Sequence, residues 1–67
     1  MIEIVLNGAP HRVPPRQTLQ ELVASLQLEG QALALAVNRR VVPRQDWAGQ
    51  LLQASDNIDI VRAIGGG

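Results

Sequence analysis

Residues 1–6 alternate in character, with Ile2, Ile4 and Leu6 on one side and Glu3 and Val5 on the other, the period of a half-buried strand. Asn7-Gly8 follows, a dipeptide that favours the positive φ values of a tight hairpin turn, so residues 10–14 are predicted to return antiparallel to the first strand. Pro14 and Pro15 end that return strand, because neither can donate to a ladder. The pattern then changes period. Leu19, Leu22, Val23 and Leu26 fall at i, i+3, i+4 and i+7, the apolar stripe of a helix that faces a core. Thr18 and Glu21 form a capping box at its start, and Gly30 is the expected stop.

A second alternating stretch covers residues 32–37, with Leu33, Leu35 and Val37 predicted to pack under the helix and Ala32, Ala34 and Ala36 to face away. Asn38-Arg39 reads as a turn and Val41-Val42 as a short strand ended by Pro43. Residues 44–52 fit a brief helical turn or two, in which Trp47, Leu51 and Leu52 are expected to dock on the sheet. Residues 57–63 close the chain with Ile58 and Ile60 on the core side. The order is therefore β-β-α-β, a short strand, and β. A single helix covers one face of a sheet, which makes the architecture two-layered. The helical crossover lets the first and last strands lie parallel in the middle of a mixed sheet. The predicted class is α+β: a β-grasp, or ubiquitin-like, domain over residues 1–63, with a four- to five-stranded sheet and residues 64–67 as a glycine tail.

That tail, Ile64-Gly65-Gly66-Gly67, adds the first candidate chemistry. At a background glycine usage of ~7%, three consecutive terminal glycines arise by chance about three times in ten thousand chains. Extended residues reach ~3.3 to 3.6 Å each, so residues 64–67 could carry a terminal carboxylate roughly 13 Å beyond the folded body. Lacking Cβ atoms, the glycines could thread a channel too narrow for other residues. Read alone, the tail is equally a frayed terminus or an expression remnant.

Composition narrows the classes. At 67 residues the chain holds one domain, which hides only about 60% of the surface its unfolded form exposes. Six cationic residues, all arginine, balance six acidic ones, so net charge gives no argument for nucleic acid or an anionic membrane as partner. Without cysteine there is no disulfide, thiolate metal site or thiol nucleophile. No apolar run approaches a membrane span and no signal peptide is evident, so a soluble cytoplasmic protein is expected.

The whole chain resembles the ThiS family, the ubiquitin-like sulfur carrier proteins of thiamine biosynthesis. The resemblance rests on the first strand with Asn7-Gly8, on 17–22 (Gln-Thr-Leu-Gln-Glu-Leu), on Ala36-Val37-Asn38, on Asp56-Asn57-Ile58 and on the Gly-Gly end. Its most discriminating part is Val42-Pro43-Arg44-Gln45-Asp46-Trp47. The resemblance implies chemistry at Gly67. A terminal carboxylate is ionised at neutral pH and is a poor electrophile, so it needs activation. In the family an adenylating, E1-like enzyme transfers AMP from ATP to this carboxylate, using Mg, and sulfur from a persulfide-bearing donor enzyme displaces AMP to leave a thiocarboxylate. Thiazole synthase then takes the sulfur. The resemblance thus implies a carrier acted on by enzymes, with no cofactor of its own, with Gly67 as sulfur site and with Gly65 and Gly66 threading into partner sites.

Other candidates carry less. The outer sheet face, expected to hold Val5, Ala34, Ala36, Val61 and Ala63 with Ile64 beyond it, is apolar for a face no helix covers and could dock the partner enzymes. Scattered exposed apolar residues are also normal on any protein. His11 lacks a partner at metal-ligand spacing and reads as a solvated edge residue. Arg39-Arg40 reads as a solvated pair, Trp47 as core, and Asp56 with Asp59 as no catalytic dyad. Two alternatives share the tail: the small subunit of molybdopterin synthase, which is usually longer and lacks the 42–47 pattern, and a ubiquitin-like modifier joined to target lysines.

Overall fold

The computed structural model describes residues 1–62; the expectations for Ala63, Ile64, Gly65, Gly66 and Gly67 lie outside the described residues. Strand β1 (Ile2–Leu6) turns through Asn7-Gly8 into β2 (Ala9–Val13), and helix α1 (Leu19–Ser25) follows. Next come β3 (Leu33–Val37), β4 (Arg40–Val42), a 3-10 segment (Arg44–Gly49) and β5 (Asn57–Arg62). The five strands form one mixed sheet in the order β2-β1-β5-β3-β4, with β1 and β5 parallel at its centre. This is the expected β-grasp arrangement.

Two turns of one type set the outer registers. Asn7 and Gly8 have φ of 49° and 84°, and Asn38 and Arg39 have 51° and 68°, so both hairpins have two-residue loops whose twist matches their strands. The first turn makes Leu6 and Ala9 partners, so β2 begins one residue earlier than the sequence suggested. Pro10 then falls opposite Val5. That is a non-hydrogen-bonded position of an edge strand, where a missing N–H costs nothing.

Helix α1 starts as expected. The Thr18 hydroxyl accepts from the Glu21 amide at 3.1 Å, and the Glu21 carboxylate accepts from the Thr18 amide at 2.9 Å. Its end differs from expectation: the helix stops at Leu26, well before Gly30. Gln27 takes a left-handed φ of 60°, its amide donates to the Ala24 carbonyl at 3.0 Å, and the Leu28 amide donates to the Val23 carbonyl at 3.0 Å. This pair of bonds is a Schellman motif with glutamine in the place glycine usually fills. Gly30, at φ of 80°, instead serves the next turn, where the Gln31 amide reaches the Leu28 carbonyl.

The core gathers Ile4, Val13, Leu19, Leu22, Val23, Leu35, Val37, Trp47, Leu52 and Ile58 between helix and sheet. Trp47 is 1% exposed, and its indole N–H donates to the Val42 carbonyl at 2.8 Å, so burial leaves no polar atom of the ring unpaired. Arg44 stacks over that ring at 4.8 Å and donates to the Gln31 carbonyl at 2.7 Å. The Val42–Trp47 stretch is therefore a structural clasp joining β4, the 3-10 turn and the loop after α1. Leu51 does not dock as expected. It is 49% exposed because it forms a bridge to Thr18 at the sheet's margin, and Leu52 turns inward in its place.

Two substitutions test the helix ends in denaturant unfolding. Thr18→Ala should lower stability by about 1 kcal/mol through loss of the cap. Gln27→Gly should raise it by about 0.5 to 1 kcal/mol, the left-handed penalty less the extra freedom glycine gives the unfolded chain.

Candidate functional site

The candidate site is the end of β5, because residues 63–67 continue from Arg62. β5 lies between two partners: β3 runs antiparallel to it from Leu33↔Arg62 to Val37↔Ile58, and β1 runs parallel to it at Val5↔Asn57 and Leu6↔Ile58. Each neighbouring hairpin adds a side chain from its turn. Asn7 donates its backbone N–H to the Ile58 carbonyl at 2.9 Å, and its side-chain Oδ1 accepts from the Ile60 amide at 2.8 Å. This carries support along β5 one step past the end of β1. Asn38 accepts from the Asn57 amide through Oδ1 at 2.9 Å and donates Nδ2 to Asp56 Oδ1 at 3.1 Å. The other Asp56 oxygen accepts from the Gln53 amide at 2.9 Å, closing the turn that leads into β5.

Asn7, Asn38 and Asp56 were legible in the sequence only as turn residues. Their second role needs the sheet order, since Asn7 and Ile60 are 53 positions apart. Asp56 is thus committed to the entry of β5, while Asp59 stands on the outer sheet face opposite Ala36. The structure brings no catalytic dyad together from them.

The outer face holds the expected residues in adjoining rows. Val61 pairs with Ala34, and Asp59, Ala36 and Val41 share the next row. Asn57, Val5 and Pro10 form a third. Val61 and Val41 are the open members, at 61% and 76% exposure. Val41 was missed, although a two-residue turn at Asn38-Arg39 places it opposite Ala36. The face is less apolar than expected: Asp59 and Asn57 interrupt it, because β5 alternates polar residues outward with isoleucines inward. Ala63 and Ile64, the remaining members of that expectation, fall outside the described residues, as do Gly65, Gly66 and Gly67.

His11 lies on β2 opposite Ile4 and is half-buried rather than fully solvated. Arg39 and Arg40 are exposed. No group of three or more potential metal ligands occurs among the described residues. No described helix is long and apolar enough to cross a membrane.

The model of the ThiS family matches residues 4–67. The sulfur carrier protein ThiS of Escherichia coli is 33% identical over 66 residues, covering 98% of this chain and all of that protein. A thiazole synthase of Magnetococcus marinus is 36% identical over 66 residues, which cover 98% of this chain and 20% of the synthase. Among solved structures, a thiamine biosynthesis protein (ThiS) of Geobacter metallireducens superposes with a TM-score of 0.86 over 98% of this chain and all of that one. At 20% identity that likeness speaks for the fold.

The Asn7 bridge is separable from the turn it sits in. Asn7→Gly keeps the positive φ but removes the acceptor, and should cost about 1 kcal/mol and speed hydrogen exchange at the Ile60 amide. Asn7→Asp, which retains an acceptor and tolerates the same backbone, should leave that exchange near its original rate.

Proposed function

The chain belongs to the ThiS family, and from that membership we propose that it is a sulfur carrier for thiazole formation in thiamine biosynthesis. The observation that carries the reading is the extent of the match: the family model includes the glycine tail, and the Escherichia coli carrier aligns along its entire length.

The proposed chemistry takes place at Gly67. Its carboxylate oxygen attacks the α-phosphorus of ATP on an adenylating enzyme, forming the acyl–AMP anhydride and releasing pyrophosphate. ATP and Mg belong to that enzyme. The outer sulfur of a donor enzyme's persulfide attacks the acyl carbon and expels AMP, giving an acyl disulfide; a thiol then cleaves its S–S bond, forming a disulfide with the donor sulfur and releasing the thiocarboxylate that is the cargo. Gly65 and Gly66 provide a side-chain-free approach to the reacting atom, which suits a buried active site. The carrier is then a co-substrate and its partners are the catalysts.

The Magnetococcus marinus relative supports thiazole synthase as a partner. A segment similar to this chain within the synthase polypeptide keeps the two at high effective concentration, the arrangement expected of proteins that hand a group from one to the other. The face carrying Val5, Ala34, Ala36, Val61 and Val41 is the proposed docking surface for the activating enzyme, since small side chains around two exposed valines leave it flat.

Mass spectrometry of the protein isolated from cells tests the reading. The expected species is heavier by the difference between sulfur and oxygen, and it disappears when Gly67 is deleted. Larger conjugates on lysines of other proteins would identify a modifier instead. A deletion strain should require thiazole for growth without thiamine; rescue by molybdenum cofactor precursors alone would overturn the assignment.

A further inference from the structure

The sheet and its helix differ in length at one end. The seven residues of α1 span about 10 Å, whereas a six-residue strand such as β5 spans about 20 Å. Because the Schellman motif ends the helix at Leu26, the chain leaves uncovered a groove of about 380 Å³ lined by Leu6, Leu26, Leu28, Leu33, Ile60 and Arg62, with Asn7 at its rim. The groove lies beside Ile60 and Arg62, at the end of β5.

A second feature meets it there. β1 pairs with β5 only at Asn57 and Ile58, then turns away at Asn7. The Ile60 amide points toward the β1 side, where Asn7 Oδ1 takes it. Alternation along the ladder aims the Ile60 carbonyl and the Arg62 amide and carbonyl to the same side, and among the described residues no strand pairs with them. The lane above the Asn7-Gly8 turn is therefore an open strand edge, one residue spacing past the Asn7 bridge, with an apolar groove and a guanidinium along its inner margin.

We propose that this edge and groove together dock an extended segment of a partner protein, which adds a strand beside Ile60–Arg62. The segment places an apolar side chain in the groove and a carboxylate near Arg62. The occupant follows from the two features jointly. Unpaired backbone groups in a row recognise another extended backbone, and the alternate side chains of an added strand reach one face of the sheet, here the face with the groove. The position fits an enzyme that works on the tail, because residues 63–67 follow directly on Arg62 in the sequence and offer glycine, with no side chain to grip, at their last three positions. Main-chain pairing immediately before the tail aligns it without needing side chains from it. Resting on the sulfur-carrier reading, the inference takes thiazole synthase as the partner to test.

The experiment measures amide exchange by NMR on the full-length, nitrogen-15-labelled chain, alone and with the thiazole synthase of the same organism. Binding should slow exchange at Arg62 by about two- to tenfold, the effect of one new backbone hydrogen bond of ordinary strength. Arg62→Glu should weaken the complex by about tenfold, while leaving the amide spectrum of the free chain otherwise unchanged. If the complex forms and the Arg62 amide exchanges as fast as before, the proposed edge is not used and the carrier reading stands. Arg62 already protected in the chain alone would mean that its own residues or a second copy fill the lane, which overturns the proposal. Failure of any complex to form removes the synthase as partner, and with it both this inference and that part of the functional reading.

Discussion

The position of β5 is the constraint on which the rest of this structure depends. The last strand enters between β1 and β3, so hydrogen bonding on both of its sides joins the amino-terminal hairpin to the second hairpin. Without it the sheet would be two unconnected hairpins under a short helix. Ile58, fully buried, ties the same strand to the core, and Asn7 and Asn38 hold it from the turns on either side. A strand held this firmly gives whatever follows it a fixed point of departure, which is the property a carrier of a reactive terminus requires.

The polar side chains in this network are few and each has a partner role in the backbone. Asn7 stands in for the next residue of β1, satisfying an amide that the turn would otherwise leave without a partner. Asn38 and Asp56 organise the opposite end of β5, where the chain arrives from an irregular segment. Buried polar groups cost free energy when unpaired, so placing these amides and carboxylates at strand ends secures register at little expense to the apolar core. Trp47 follows the same logic, with its single N–H bonded to Val42 and its ring filling the core.

The ThiS family membership and the geometry describe one division of labour. The folded body holds β5 from both sides, and no group of three or more potential metal ligands occurs among its described residues. Reactivity is assigned in our proposal to Gly67, and recognition to surfaces close to it: the outer face with Val41 and Val61, and the open lane beside Ile60–Arg62. The two surfaces lie on different aspects of the same strand end.

Much of the fold was legible in the chain because its local signals agree. Alternation in 1–6 and 32–37, the stripe of Leu19, Leu22, Val23 and Leu26, the Thr18–Glu21 box and the Asn7-Gly8 turn each specify a local geometry that tertiary packing then leaves intact. The glycine tail and the Val42–Trp47 pattern pointed to the family for the same reason, being contiguous. Where single residues had competing options, only the tertiary structure decided. Gln27 ends the helix in a conformation its type disfavours, because Leu28 is drawn to the core side. Leu51 and Leu52 are alike in sequence, and the bridge to Thr18 determines which is buried. The double duty of Asn7 and the edge at Arg62, unpaired among the described residues, both depend on which strands become neighbours. That is a property of contacts between residues distant in the chain, and local periodicity carries no record of it.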